Sequence, residues 1–355
     1  MHRIISRTSL AKLFEQLDKT YRVYVPTGNG GGLSHAVFRP HVVDWDMGGA
    51  RTVDPLKAFF FQSRVVVDAE SFGSPSDDLR PLCIVGVKAC DLKGFAVQDR
   101  VFADTPPADP FYTHVRDSAL IIASDCTAAL ETCFCTAMGI HPFPEQNHDL
   151  SLSPIADGFV AEAGSERGRA MMEKHGDLFD EAPGAALAER DRLRDEMTAK
   201  IRASAAEFGV PSEAELEGAV ARNTESAVWA EEAENCVECG ACNTVCPTCH
   251  CFFLCDQEQN GASSRLRLWD SCLYRDFARV AGGGNPRDRL WMRLRNRFEK
   301  KFDYFPRVAG FNACTGCGRC IAACPARIDI RRVLKRLTED ASEREPLSAY
   351  PDGSA

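Results

Sequence analysis

The chain has 355 residues, 45% of them hydrophobic, and a formal net charge of -9 at pH 7. This length allows two or three domains with buried cores, and the acidic balance argues against nucleic acid as a partner. The 17 cysteines are too clustered for a disulfide framework. Because no signal peptide opens the chain and no stretch is long and apolar enough for direct membrane insertion, we expect a cytoplasmic protein.

Apolar runs alternate with turn residues over the first half of the chain, which indicates strands. Periodic apolar spacing at Leu10–Leu17 and Leu92–Val101 indicates helices among them. We therefore predict that residues 1–185 form a mixed α/β domain. The predicted strands are Tyr21–Val25, Arg64–Val67, Leu82–Val87, Ala119–Ala123 and Gly158–Ala163.

A glycine-rich segment from Gly28 to Gly32 is the one candidate for a nicotinamide or flavin site. The strand-like segment Ala36–Phe38 follows it, whereas a pyrophosphate site needs a helix N-terminus at that point. We therefore predict a hairpin here rather than a dinucleotide site.

Residues 186–230 contain few β-branched runs and are rich in Ala, Glu and Arg, which indicates a helical connector. Pro211 and Ser212 mark the start of one of its helices. The remaining part, residues 231–338, carries two repeated cysteine motifs, and we expect an α-helical, ferredoxin-like domain. The fold class is therefore α+β with several domains.

The two motifs of this domain are separated by an insertion, residues 247–313, which is much longer than a compact ferredoxin needs. We expect the insertion to fold on its own, with a helix in the arginine-rich stretch Arg287–Lys301. Residues 339–355 are expected to be a disordered tail.

Both motifs have the spacing Cys-x2-Cys-x2-Cys-x3-Cys-Pro of bacterial two-cluster ferredoxins. In those proteins three cysteines hold one [4Fe-4S] cluster and the fourth reaches to the other. Gly240 and Gly318 favour tight turns that present N–H groups to cluster sulfurs. Zinc knuckles are the alternative, but zinc needs no repeated Cys-x3-Cys-Pro unit. We assign one cluster to Cys236, Cys239, Cys242 and Cys324, and the other to Cys314, Cys317, Cys320 and Cys246.

Four cysteines of the N-terminal domain follow two of its predicted strands, one at position 90 and three within residues 126–135. Neighbouring strands would bring both groups to one edge of a sheet, where four thiols suffice for a third [4Fe-4S] cluster. Buried thiols or a redox-active Cys-x-Cys pair are the alternatives. Cys83, inside a strand, is expected only to pack. The candidate ligands are Cys90, Cys126, Cys133 and Cys135.

Four further cysteines lie in the insertion, and the sequence leaves their role open between buried packing, a redox-active pair and ligands of a further cluster or metal. Scattered histidines are interpreted as packing or solvent residues rather than ligands. These cysteines are Cys249, Cys251, Cys255 and Cys272, and the histidines are His141, His148 and His250.

Several segments occur in the order of a known family. Together they resemble the dicluster [4Fe-4S] iron-sulfur family that includes the electron-transfer subunit of anaerobic sulfite reductase and the beta subunit of cytoplasmic sulfhydrogenases. Cys255 and Glu299–Phe302, where a His-Lys pair is usual, depart from the family pattern. The matching segments are Gly86–Leu92, Asp125–Cys126, Thr132–Cys135, Cys246–Phe252, Trp269–Cys272 and Val280–Gly284.

The resemblance implies a non-catalytic electron-transfer subunit of a hetero-oligomeric oxidoreductase. Its partners would be a flavin subunit that oxidises NAD(P)H and a metal-containing catalytic subunit of the sulfite reductase, hydrogenase or disulfide reductase type. Two alternatives are a cluster-based redox sensor and a reductase of a small sulfur compound that binds at Cys249 and Cys251.

Overall fold

The computed structural model describes residues 2–28, 32–40, 44–67, 78–259 and 261–342. Within these ranges the chain mixes helices with strands, as the sequence predicts. No helix in the described ranges has the length and apolar character needed to cross a membrane.

The strands are numbered in chain order. They are β1 (His2–Ile5), β2 (Arg22–Gly28), β3 (Leu33–Val37), β4 (Arg64–Val66), β5 (Leu82–Val87), β6 (Leu120–Ser124), β7 (Leu150–Ile155), β8 (Gly158–Ala163), β9 (Asp180–Glu181), β10 (Phe252–Gln259) and β11 (Ala262–Trp269).

The α-helices are numbered in the same way, and short 3-10 turns at Cys135–Met138 and Gly176–Leu178 accompany them. The helices are α1 (Arg7–Leu17), α2 (Lys57–Phe60), α3 (Ala89–Phe102), α4 (Pro110–Ser118), α5 (Glu166–Lys174), α6 (Gly184–Phe208), α7 (Glu213–Leu216), α8 (Ala219–Arg222), α9 (Val228–Ala233), α10 (Ala241–Thr244), α11 (Leu290–Glu299), α12 (Phe305–Ala309), α13 (Arg319–Ala322) and α14 (Ile330–Ser342).

Eight strands form one mixed sheet in the order β3-β2-β5-β6-β7-β8-β1-β9. The central strands β2, β5, β6 and β7 are parallel, and the outer strands join them in antiparallel pairs. Parallel strands direct their carboxyl ends to one edge of a sheet. The segments that follow β5 and β6 therefore meet at that edge.

Strand β5 is buried on both faces because helices cover the sheet on each side. Cys83 packs in the core beneath α1, and Ile84 packs in the opposite core beneath α3. A bulge at Gly86, with φ of +76°, shifts the register before Val87. Val87 consequently shares the face of Ile84, and the chain turns into α3 at the sheet edge.

The predicted strands are all present, and two of them coincide with β5 and β8. Strands β2 and β3 pair in antiparallel fashion, with Gly28 opposite Leu33, as expected for a hairpin. Residues 29–31 of the glycine-rich segment lie outside the described ranges. The sequence analysis missed β1 and β9, which have only four and two residues, and it also missed β7, although Leu150–Ser153 alternates apolar and polar residues.

The insertion does not fold on its own, contrary to the sequence prediction. Strands β10 and β11 form a hairpin, and β11 pairs with β4 of the N-terminal region. Trp269 donates its indole N–H to the carbonyl of Phe61 at 2.9 Å and stacks on the Phe61 ring. The partner strand lies about 200 residues earlier in the chain, so no local sequence pattern could predict that the two strands pair.

The arginine-rich stretch is helical from Leu290 and continues beyond Glu299 as a π-helical turn, Lys300–Tyr304. Helix α7 begins with a capping box between Ser212 and Glu215, close to where the sequence predicts a helix start. Helix α14 extends past residue 338, where we expected the tail to begin, and residues 343–355 lie outside the described ranges.

Candidate metal centres

The two cysteine motifs fold into matching loops. Gly240 and Gly318 have φ values of +70° and +69°, and each stands directly before a one-turn helix, α10 or α13. Side chains with a Cβ atom adopt this backbone conformation only with strain, which explains glycine at both positions. Helices α10 and α13 pack against each other, so the two motifs face one another.

The first predicted set of cysteines surrounds one cavity near the surface. Cys239 is exposed, and the other three cysteines are partly buried. Cys320 of the second set also lines this cavity, so the two sets adjoin. Burial raises the pKa of Cys242 to about 11. The cysteines of the first set in the cavity wall are Cys236, Cys239, Cys242 and Cys324.

The second predicted set lies deeper. The thiol of Cys314 is close enough to those of Cys246 and Cys320 to interact electrostatically, and Cys320 interacts likewise with Cys317. Burial raises the pKa of Cys314 to about 12. The fold therefore brings together the four thiols that the ferredoxin spacing groups.

Buried cations stand beside these thiols. Lys301, on the π-helical turn, donates a hydrogen bond to Sγ of Cys246 at 3.3 Å and another to Thr248 at 2.7 Å. Burial opposes its charge, yet the sulfurs of Cys246 and Cys249 raise the pKa of Lys301 above its ordinary value. The buried guanidinium of Arg297 interacts with Cys242. Such cations offset the negative charge of a thiolate-bound cluster.

Sequence analysis did not identify Lys301 and Arg297 as functional residues. Lys301 lies in the segment that departs from the family pattern, and this departure was the only feature of the sequence that could have drawn attention to it. Arg319 of the second motif is also buried, with Cys317 and Cys90 in its electrostatic surroundings, whereas Arg327, just after that motif, is exposed.

The four N-terminal candidate cysteines line a cavity at the edge of the sheet, which we name the third cavity because it corresponds to the predicted third cluster. Cys90 lies in the first turn of α3, and Cys126 follows β6. The 3-10 turn after Phe134 completes the wall. Burial raises the pKa of Cys126 to about 11, although nearby Lys88 opposes the rise. The cysteines in this wall are Cys90, Cys126, Cys133, Cys135 and, from the second set, Cys317.

The third cavity is closed by the second motif itself. Phe134 donates its backbone N–H to the carbonyl of Gly316 at 2.9 Å. A Cβ atom on Gly316 would lie 2.6 Å from the Cα atom of Cys135, and one on Gly318 would lie 2.1 Å from the carbonyl oxygen of Thr132. Both glycines are required because the two backbones touch here.

Several buried polar atoms around the third cavity have no hydrogen-bond partner. Their residues line the cavity or stand within two positions of a residue that does. Buried donors without partners are costly, and cluster sulfurs accept such hydrogen bonds. The residues present therefore fit an iron-sulfur cluster. The atoms are Arg51 Nη2, Thr132 Oγ1, Thr136 Oγ1, Thr315 Oγ1 and Arg319 Nη1.

Two salt bridges and a lysine hold this edge in place. Asp91, next to Cys90, pairs with Arg319 at 2.7 Å, and Asp125, next to Cys126, pairs with Arg194 at 2.7 Å. The buried ammonium of Lys88 donates to the carbonyl oxygens of Met47 and Asp125 at 3.0 and 2.8 Å. These contacts fix the loops that carry the cysteines.

Three of the four insertion cysteines line another cavity, together with His250. Cys255 lies on β10 away from it. His141 lines the third cavity and stacks on Phe143, and Nδ1 of His148 contacts the carbonyl of Gln146 at 3.2 Å. The three cysteines are Cys249, Cys251 and Cys272.

Across the described ranges, no three Cys, His, Asp or Glu side chains converge as ligands of a single metal ion. In an iron-sulfur cube each thiolate binds its own iron, so the ligands stand around a space instead of around one point. Cysteines that line a cavity are the arrangement such a cube requires.

Comparisons with known proteins agree with this chemistry. A family model described as a 4Fe-4S dicluster domain matches residues 235–328. The chain is also 31% identical over 331 residues to Sulfhydrogenase 2 subunit beta of Pyrococcus furiosus, and the alignment covers 92% of this chain and 96% of that protein.

Proposed function

Because this chain belongs to the iron-sulfur family of the sulfhydrogenase beta subunits, we propose that it relays electrons between two partner subunits. One partner is a flavin subunit that oxidises NAD(P)H, and the other is a metal-containing catalytic subunit of the hydrogenase, sulfite reductase or disulfide reductase type. The chain itself is an iron-sulfur electron-transfer subunit of a multisubunit complex.

The observation that carries this proposal is the continuity of the cysteine-lined sites. Cys320 lines the first cavity and belongs to the second set, and Cys317 belongs to the second set and lines the third cavity. Each site thus adjoins the next, from exposed Cys239 to the edge of the N-terminal sheet. A relay needs such a row, since electrons pass efficiently only between close centres.

In this proposal the first two sets hold two [4Fe-4S] clusters, with the fourth cysteine of each motif crossing to the other cluster. A third [4Fe-4S] cluster is bound in the third cavity by Cys90, Cys126, Cys133 and Cys135. Each cluster, when bound, supplies a one-electron redox centre. The protein supplies thiolate ligands, hydrogen bonds to sulfur and a dry environment, which together set the potentials.

The cations beside the second set support the proposal. Lys301 and Arg297 are each at most 5% exposed, and burying a positive charge is costly unless a negative charge compensates it. A cluster with four thiolates is an anion that becomes more negative on reduction. The two cations therefore favour the reduced state and ease electron uptake.

We further propose that the two-cluster domain spans residues 231–338, after a mixed α/β domain (1–185) and a helical connector (186–230). The ferredoxin-like part is limited to the two loops with α10 and α13. The hairpin of the insertion binds the N-terminal region instead.

Partner contact would occur where a centre is nearest the surface. Cys239 is exposed, and neighbouring Val237, in the wall of the first cavity, is 64% exposed. An exposed apolar residue beside a redox site is typical of an interaction surface. This face is our candidate for docking of one partner subunit.

The test is an anaerobic affinity purification of the native protein, with iron counted and co-purifying chains identified by mass spectrometry. Recovery of a flavoprotein together with a metal-bearing catalytic subunit would support the relay and identify the reaction. Recovery of regulatory proteins alone would contradict the relay and favour a redox sensor.

A further inference from the structure

Three cysteines outside the proposed clusters line one cavity. Two of them, Cys249 and Cys251, follow the first motif, and the other, Cys272, lies beyond the hairpin. Packing alone does not require three thiols around one space. The proposed relay leaves all three without a role.

The hairpin brings these segments together. Phe252 at the start of β10 pairs with Trp269 at the end of β11. The next residue, Asp270, donates its backbone N–H to the carbonyl of Cys251 at 3.0 Å. The chain that leaves the hairpin therefore returns to the point at which it entered, which places Cys272 beside Cys251.

The cavity is bordered by a buried lysine from the N-terminal region. Lys57 is 5% exposed, and its ammonium donates to the carbonyl oxygens of Asn243 and Cys249 at 2.9 Å each. The face of the Trp269 ring lies 4.4 Å from this ammonium, and the thiols of Cys249, Cys246 and Cys251 are in its electrostatic surroundings. No carboxylate among the described residues pairs with it, so an anion in this cavity would compensate its charge.

Hydrogen-bond donors also point to a sulfur-rich group. Asn243 donates its side-chain amide to Sγ of Cys272 at 3.0 Å, the kind of bond that orients and tunes a metal-bound thiolate. Nδ1 of His250 lies 3.0 Å from the carbonyl oxygen of Thr248. A carbonyl only accepts, so Nδ1 carries the proton and Nε2 keeps its lone pair, the tautomer of a metal-binding histidine.

We propose that Cys249, Cys251 and Cys272, with Nε2 of His250 as the fourth ligand, bind a further [4Fe-4S] cluster. Imidazole replaces thiolate as an iron ligand in Rieske centres, where it raises the reduction potential. The site adjoins Cys246 of the second set, whose sulfur lies 3.2 Å from Thr248. It forms a branch from the proposed row of clusters.

A cluster accounts for more of the observations than the two simpler arrangements. The thiols of Cys251 and Cys272 are within hydrogen-bonding reach of each other, so a redox-active disulfide would join these two. It would leave Cys249, which contacts Cys246, without a role, and it would be uncharged beside Lys57. A single ion would need its ligands drawn around one point, which the described residues do not show. A cube with three thiolates uses every thiol and places negative charge opposite the lysine.

The experiment is a comparison of full-length chains purified and reconstituted without oxygen. Cys272→Ser is expected to lose four irons and four inorganic sulfides per chain relative to the parent protein. Cys255→Ser is the matched control, because Cys255 lies on the same hairpin outside the cavity, and it should lose none. If a folded Cys272→Ser protein contains as much iron and inorganic sulfide as the parent protein, the proposal is overturned. This holds whether or not the remaining thiols form disulfides.

A second variant tests the histidine ligand and does not depend on the folding of the first. His250→Cys should retain iron and sulfide while one cluster titrates at a lower potential, because thiolate donates more charge than imidazole. Potentials identical to those of the parent protein would overturn the assignment of His250. If Cys272→Ser fails to fold, Cys251→Ser replaces it with the same expected loss.

These measurements are made on the isolated chain and involve no partner subunit. A result that contradicts the further cluster therefore leaves the proposed relay intact, and a result that contradicts the relay leaves the iron count unchanged. Cys239→Ala, which removes a ligand of the first set, should reduce the iron content independently of Cys272→Ser.

Discussion

Arg319 of the second cysteine motif donates a 2.7 Å hydrogen bond to the carboxylate of Asp91, which follows Cys90 at the edge of the N-terminal sheet. Both side chains are buried, at 1% and 4% exposure. The pair joins the C-terminal motif to the sheet edge that carries the third cavity. Asp91 is the carboxylate that pairs with Arg319.

Replacement of Asp91 should therefore be costly. Asp91→Ala leaves the Arg319 guanidinium buried without its counter-ion, and we expect a loss of about 3–5 kcal/mol in the free energy of unfolding. Anaerobic denaturant unfolding measures it. Asp256→Ala is the control, because Asp256 and Arg265 form a pair of the same kind on the exposed hairpin, and solvent screening should make the loss of this pair much smaller. Equal losses would contradict our account of the buried pair.

The cluster proposed for the third cavity predicts how much iron two variants should contain. Cys133→Ser should remove four irons per chain and the spectroscopic signal of one cluster, since Cys133 is one of the four proposed ligands. Cys83→Ala changes a cysteine that packs inside β5 and should keep all the iron. Iron analysis with electron paramagnetic resonance of the reduced protein checks both. An unaltered iron content in Cys133→Ser would exclude a cluster in this cavity.

The relay predicts separate effects on two activities of the complex. Cys239→Ala should abolish turnover with the physiological electron donor, because one cluster of the row is lost. The flavin partner should still reduce an artificial dye, since that step precedes the relay. Steady-state assays with each acceptor make the comparison, and persistent physiological turnover would refute the relay.

Lys301 should tune a cluster potential. Lys301→Met removes a positive charge that donates to Sγ of Cys246 at 3.3 Å, which makes the reduced, more negative state less favourable. We expect one midpoint potential to fall by on the order of 60 mV, a tenfold change for a one-electron couple. Exposed Lys19 lies between α1 and β2, at the sheet edge opposite the one that carries Cys90 and Cys126, so Lys19→Met should change no potential. A rise in potential would contradict the proposed role of the charge.

The close approach of two backbones predicts the effect of one methyl group. Gly318→Ala combines the strain of a positive φ, about 1–2 kcal/mol, with overlap on the carbonyl of Thr132, which adds about 1–3 kcal/mol or more. Gly261→Ala has the same backbone strain, with φ of +77°, but meets open space. Thermal unfolding should show the larger loss at Gly318. Similar losses at both sites would mean that Thr132 moves aside.

The spacing of the two cysteine motifs predicts how their eight thiols group, and the proposed ligand sets rest on that prediction. The spacing acts locally, because two intervening residues and a glycine of positive φ fix the loop whatever surrounds it. Strands β5 and β8 were equally predictable, since their apolar runs are bounded by turn residues. The resemblance to the family, now shown by identity over most of the chain, rests on the same local segments.

Contacts between residues far apart in the chain could not be predicted from the sequence. The contact of β11 with β4, the buried pair of Arg319 with Asp91 and the position of Lys57 beside Cys249 each join residues more than 180 positions apart. Amino-acid patterns report which side chains prefer burial, and they carry little information about which distant partner completes a sheet or a charge. The sequence by itself determined the local loops and the candidate ligands. Only the tertiary structure decided which cavities those ligands share, because a cavity exists only where separate segments pack.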